Sequence, residues 1–278
     1  LVPGSPAFGK TPLMAQWRQQ LIKNGAQVAW LSVWPDDCRV EAFCASLLGA
    51  LRQAGLPLDG DLLLLAGPEA ISTQAMASLL INALARMSGE LYLMLDDFQQ
   101  AADVRIAQLM QALIDDAPHH LHVVLASRST PPLLLGRLRA MGELCEVDCA
   151  GLSFNFAESL AFLKAHLDQS VDLDAAHAIH DLTDGWPIGL QLMSIALKAN
   201  PKKAVKRAAL LPDSAALKAY LSEDVVADLP TELFDFLQKI SILRRFNVDV
   251  AAHVTGSAQA AQLIAAVEDR NLFIQPVD

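Results

Sequence analysis

The sequence predicts an α/β fold for roughly the first half of the chain and helices for most of the rest. Three observations carry that prediction. Up to about residue 150, short apolar runs that end abruptly in polar residues alternate with stretches of helical periodicity, the pattern of strands buried on both faces and joined by helices. From Leu152 onward amphipathic helical stripes follow one another, with no apolar strand run until the last residues. The chain is also 53% hydrophobic with mean hydropathy +0.31, which excludes disorder and suits buried strands.

Each element has its own justification. Leu1-Val2 reads as the end of a strand, so native residues are expected before it. Leu13, Met14, Trp17, Leu21 and Ile22 recur at helical spacing and Asn24-Gly25 supplies a stop. Residues 28–33 form an apolar strand run that ends in Pro35-Asp36-Asp37, and a helix follows over 41–53. Turn-rich stretches at 55–60 and 66–72 bracket a short apolar run at 62–65; a helix over 73–87 is closed by Ser88-Gly89. Residues 91–95 make the cleanest strand and stop at Asp96-Asp97-Phe98. A helix over 104–114, a strand over 121–126 ending in Ser127-Arg128-Ser129, a break at Pro131-Pro132, a helix over 133–141 and a strand over 144–147 complete an open parallel sheet. Helices are then expected at 157–166, 175–182, 188–198 and 215–226. The last elements, 233–246, 258–267 and 272–276, read helix, helix, short strand, as in a small winged-helix unit. The expected domains are 1–150, 151–213 and 214–278.

Charge narrows the function classes. The net charge of -10 repels phosphate backbones and disfavours nonspecific nucleic-acid binding by this segment. Lys202, Lys203, Lys206 and Arg207 sit beside Asn200-Pro201 and read as an exposed linker. No stretch reaches the roughly 18 apolar residues that span a bilayer, and the start has no leader pattern, so a cytoplasmic protein without membrane contact is expected. Cys38, Cys44, Cys145 and Cys149 lack CxxC spacing and are expected to be reduced and mostly buried. His119, His120, His122, His177 and His180 have no carboxylates or cysteines arranged with them as a metal site.

Gly4-Ser5-Pro6-Ala7-Phe8-Gly9-Lys10-Thr11 fits G-x-x-x-x-G-K-[ST], a phosphate-binding P-loop opening a helix. In such a loop successive main-chain N–H groups curl around the phosphates, the glycines permit close approach, and the helix N-terminus adds its dipole. Lys10 is placed to neutralise the β- and γ-phosphates of ATP, or the β-phosphate of ADP, and the Thr11 hydroxyl to hold Mg²⁺. Where strands end in carboxylates, the partner half of the site follows: Asp96 is assigned to the metal and Asp97 to the attacking water. Arg128, one strand further on, is the candidate sensor of the γ-phosphate.

Together with Leu-Met-Leu-Asp-Asp-Phe, Leu-Ala-Ser-Arg-Ser-Thr-Pro-Pro and Asp-Gly-Trp-Pro-Ile-Gly-Leu-Gln-Leu, the P-loop resembles the ATPase core of MalT-like LuxR-family transcriptional regulators, in the STAND class of signal-transduction NTPases. Residues 219–225 and 268–274 resemble that family's helical and winged-helix stretches. The resemblance implies a P-loop NTPase parallel sheet domain followed by an all-α helical domain and a small winged-helix domain that clamp the nucleotide. It places Pro187, in Gly185-Trp186-Pro187, near the adenine or ribose. It further implies an ADP-bound resting form, an ATP- and inducer-dependent form that self-associates into a homo-oligomer, and inducer-binding and DNA-binding domains outside these residues.

This sequence departs from the family at Ala7, where relatives often carry glycine, and at Pro12, where a second threonine is usual and where proline removes a donor near the phosphates. Gln99 stands where histidine is common, so no role is carried over to it. The leading reading is a slow regulatory ATPase switch. Two others compete: a nucleotide-free protein-interaction scaffold, and a metabolic P-loop ATPase or kinase, for which no acceptor pocket or arginine finger is visible.

Overall fold

The computed structural model describes residues 1–56, 72–167, 171–199, 229–243 and 246–269. Their contacts divide the chain into two units, Leu1–Gly4 with Lys10–Asp148 and Ser5–Gly9 with Cys149–Asp278.

The first unit is built on a four-stranded sheet of order β1-β4-β3-β2, in which every pair is parallel: Val2–Pro3 (β1), Gln27–Ser32 (β2), Leu91–Asp96 (β3) and Leu121–Ser127 (β4). Leu91, Leu93, Met94 and Leu95 of β3 are all fully buried. That is why the strand reads as an unbroken apolar run: helices cover both faces, so neither face is left for polar side chains. The helices are Lys10–Lys23 (α1), Val40–Gln53 (α2), Thr73–Leu84 (α3), Val104–Asp115 (α4) and Gly136–Met141 (α5). In α2, Phe43, Cys44, Leu47, Leu48 and Leu51 form one buried stripe. The Ser72 hydroxyl accepts from the Ala75 N–H to start α3, and the Asp103 carboxylate accepts from the Arg105 N–H to start α4.

The structure corrects several expectations. Residues 144–147 are not a strand. The Leu1 amine donates to the Cys145 carbonyl at 2.7 Å and the Val147 N–H donates to the Leu1 carbonyl at 2.9 Å, a pairing with one residue that is too short for a ladder. In α1 only Met14 of the apolar stripe is buried; Ile22 is 49% exposed and Trp17 lines a cavity of about 330 Å³ with Ile114, Leu125 and Leu135. The expected thiol burial holds for Cys44, whose pKa rises to about 11 through desolvation, while Cys38 and Cys145 are exposed and Cys149 is half-buried. The apolar run at 62–65, the basic residues at 202–207, the helix at 215–226 and the strand at 272–276 lie outside the described residues.

The second unit contains Cys149–Leu152 (α6), Phe156–His166 (α7), Leu173–Thr183 (α8) and Pro187–Ala199 (α9); the last three share a core that includes Leu163, Ile179, Leu190 and Met193. Asn155 and Glu158 start α7 with a reciprocal capping box. A further core, including Leu233, Phe236, Ala251 and Val267, joins Thr231–Ile240 (α10), Val248–Thr255 (α11) and Ala260–Asp269 (α12). The helix expected over 233–246 therefore ends early. Asn247 caps α11, a helix the apolar pattern does not announce because it is short and opens on two valines. Among the described residues no helix is long and apolar enough to cross a membrane.

Candidate functional site

In the first unit, the end of β1 is tied to the end of β4: Pro3 stands in register with Ser127, and the Gly4 N–H donates to the Ser127 carbonyl at 3.1 Å. Lys10, the first residue of α1, is buried to 7% exposure, and its Nζ donates to the Gly4 carbonyl at 2.6 Å. Beside it Thr11 is exposed. Asp96 closes β3 at 3% exposure and accepts from the Thr11 hydroxyl and, at 3.0 Å, from the Asp97 N–H. Burial pushes the Asp96 carboxyl above the usual carboxylate range and the neighbouring Asp97 charge adds to this; the Thr11 hydroxyl, the Asp97 N–H and the Lys10 charge oppose the rise. Gly4, Lys10, Thr11 and Asp96 thus lie together.

Ser5–Gly9 pack within the second unit. Ser5 is buried and its N–H donates to Cys149 Sγ at 3.4 Å. Phe8 is also buried, with its ring centroid 6.2 Å from that of Trp186. Ala7 at φ 59° and Gly9 at φ 85° both take the left-handed region, which curls the main chain as an anion-binding nest requires. Pro6 is half-buried, and Pro12 is an exposed third residue of α1, where its missing N–H has no intrahelical partner to lose.

Asp97 follows β3 in a left-handed conformation, φ 53°. Its Oδ1 accepts from Gln99 Nε2 at 2.8 Å and lies 3.8 Å from Arg128 Nε. The Gln99 Oε1 in turn accepts the Arg128 N–H at 2.9 Å. Asp97 and Arg128 are therefore brought together, by a residue that motif reading left without a role. The available signal was position alone, an amide two residues beyond an acid in the tight turn that ends a strand. Cys149 and the Phe8–Trp186 contact were missed for a different reason: they join residues more than 140 positions apart.

Pro187 opens α9, the place where a fixed φ and a missing N–H cost least. The turn before it is set by packing. Gly185 has φ 69°, its carbonyl accepts the Phe154 N–H at 2.9 Å, and a Cβ there would stand 2.1 Å from the Phe154 carbonyl oxygen. A Cβ on Gly189 would meet the Trp186 ring at 3.0 Å.

The donor set suits Mg²⁺. Thr11 and Asp96 present a hydroxyl and a carboxylate already in contact, both hard oxygen donors. Among the described residues no group of three His, Cys, Asp or Glu side chains could hold a metal. Mg²⁺ commonly takes one or two protein groups and completes its shell with phosphate oxygens and water.

Residues 1–126 match the AAA ATPase domain family and residues 222–278 match the MalT winged helix domain. Over 278 residues the chain is 30% identical to the serine/threonine-protein kinase PknK of Mycobacterium tuberculosis, covering 99% of this chain and 25% of that protein. Over 275 residues it is 27% identical to the HTH-type transcriptional regulator MalT of Yersinia pestis, covering 98% of this chain and 30% of the regulator. The chain thus spans a quarter to a third of the length of these relatives. The Walker-type ATPase of Pyrococcus abyssi shares the fold, with a TM-score of 0.62 at 15% identity over 99% of this chain and 85% of that one. A parallel sheet with this loop is a P-loop ATPase fold. The chain is thus similar to the MalT-like ATPase region, with a match to an AAA ATPase domain followed by a match to a MalT winged helix domain.

Proposed function

We propose that this region is an ATP-binding, slowly hydrolysing switch of a transcriptional regulator, in which the ATP or ADP state controls activation and self-association. The observation that carries the reading is the buried Asp96 carboxylate accepting from Thr11 beside Lys10, at the end of the central strand. A buried acid held by a hydroxyl and facing a buried ammonium is a costly arrangement that a Mg²⁺–polyphosphate complex turns to use. Lys10 neutralises the β- and γ-phosphates, and Thr11 and Asp96 hold Mg²⁺. When bound, the ion offsets negative charge on the phosphoryl oxygens. Asp97 orients the attacking water and takes its proton, Arg128 reports the γ-phosphate, and Pro187 lies against the adenine or ribose. Inducer and DNA are engaged by other domains of a cytoplasmic protein, and the boundaries 1–150, 151–213 and 214–278 mark the switch's domains. In population terms, ATP moves the equilibrium only by the margin with which it binds the active arrangement more tightly than the resting one.

One observation favours a second reading, a nucleotide-free scaffold: Ala7 holds a left-handed conformation without being glycine, and Pro12 removes an amide next to the loop. Calorimetric titration of nucleotide-stripped protein with ATP and ADP separates the two. Micromolar or tighter ADP with slow turnover supports the switch; absence of heat supports the scaffold, and rapid turnover a metabolic enzyme. In Lys10→Ala, affinity is expected to fall on the order of ten- to a hundredfold, the equivalent of one or two lost charge-assisted bonds.

A further inference from the structure

We infer that Gln99 is a positioning residue that sets the geometry between Asp97 and Arg128. The inference rests on the switch reading above and extends it to a residue that motif reading left without a role. Gln99 sits in the short 3-10 turn Phe98–Gln100 after β3, and its amide bonds at both ends to the two strand ends it lies between. Nε2 donates to Asp97 Oδ1 at 2.8 Å, and Oε1 accepts the Arg128 N–H at 2.9 Å. Each bond does something different. The first occupies one carboxylate oxygen and restrains the carboxylate plane, which leaves Oδ2 as the oxygen to meet a water. The second pins the main chain of Arg128 where β4 ends, which sets the root of a guanidinium whose Nε stands 3.8 Å from the same Oδ1.

Fixing both partners through one side chain matters because neither is otherwise held by burial: the side chains of Asp97 and Arg128 are each 42% exposed. An ion pair at 3.8 Å and that exposure is weak and adaptable. A planar amide with one donor and one acceptor at fixed separation converts it into a defined arrangement. The acid that handles the water and the arginine that reads the γ-phosphate are then coupled through Gln99: movement of one strand end is felt at the other.

The test compares Gln99→Met and Gln99→His with the unmodified 278-residue chain, reading single-turnover ATP hydrolysis together with ATP and ADP affinities by calorimetry. Methionine keeps length and bulk but offers no donor, whereas neutral imidazole keeps one donor and one acceptor. The methionine variant is expected to lose about tenfold in turnover and several-fold in its ratio of ATP to ADP affinity, with ADP affinity itself held within about twofold. The histidine variant is expected to stay within about threefold of the unmodified chain. A methionine variant that hydrolyses and discriminates normally overturns the inference. So does a histidine variant that falls as far as methionine, or a loss of ADP affinity in step with turnover. Should the unmodified chain bind but not hydrolyse, the ATP-to-ADP ratio alone decides; should it bind neither nucleotide, the switch reading fails and this inference falls with it.

Discussion

Gly9 and Gly185 both lie at positive φ in motifs that identify the chain, yet what surrounds them differs. At Gly185 the Phe154 carbonyl oxygen occupies the space of a side chain, 2.1 Å from where a Cβ would stand. At Gly9, with φ 85°, an added Cβ meets no described atom within 4 Å. One glycine answers to the protein's own backbone and the other to its main-chain angle alone. A similar division separates two further groups. The turn before Pro187 is accounted for by packing, with Gly189 close under the Trp186 ring, while the end of β3 holds a buried acid that packing does not require. The Gly185-Trp186-Pro187 turn is thus the motif whose residues the fold itself explains.

Gly185→Ala gives the largest expected effect and attacks that contrast directly. An alanine at φ 69° carries the left-handed penalty, and its Cβ must also displace a backbone carbonyl that accepts no simple rotation. A loss of about 3 kcal/mol or more is expected, confined to the second unit. Hydrogen exchange of the amides in α7 and α9 reads it locally. Protection factors unchanged from those of the parent would show that the turn relaxes, and that Gly185 is retained for some reason other than packing.

Asp96→Asn sharpens the other side, because there a substitution should favour the fold while removing function. Burial holds the Asp96 carboxyl above the usual carboxylate range, so the native state keeps that proton to a higher pH than the unfolded chain does. Between the ordinary value and the raised one the native state binds more protons, and stability falls as pH rises through that window. Below the window the acid is neutral in both states and costs nothing. Nucleotide-free Asp96→Asn is therefore expected to melt above the parent at neutral pH, with the gap closing as pH drops below the ordinary carboxylate range. Its Mg²⁺-dependent gain in nucleotide affinity should vanish. Melting curves from about pH 4 to pH 8 check the first part, and an Asn variant that melts below its parent at neutral pH would remove the claim of a strained acid.

The comparison also explains what could be read from the sequence. β3 and its carboxylate end were legible because a strand buried on both faces must be apolar throughout and must stop where polar residues begin. The P-loop was legible because its chemistry fixes residue types at fixed spacing. The short pairing of residues 144–147 with Leu1 was not, since a ladder depends on a partner strand's length, which apolar runs do not encode. Nor was the bridge from Gln99 to Arg128, which exists only once β3 and β4 are neighbours in the sheet. Local pattern recovers what one segment must be; it does not recover which two segments meet.

Ala7 supplies the smallest expected effect and a direct test of the phosphate loop's conformation. At φ 59° an L-residue brings its Cβ close to the following carbonyl, a cost of roughly 1–2 kcal/mol that glycine does not carry. Glycine also gives the unfolded chain more freedom, which takes back about 0.4–1 kcal/mol. The balance for Ala7→Gly is about 0.5–1 kcal/mol in favour of the folded loop, or a rise of about 2 °C in melting temperature for a chain of this size. If the left-handed turn at Ala7 is also the conformation that receives phosphates, ADP affinity should stay within about twofold on the same substitution, because the free and bound loops are relieved of the same strain. A variant that gains stability but loses affinity would mean that nucleotide selects a different loop conformation, in which Ala7 is no longer left-handed and the strain belongs to the nucleotide-free state alone.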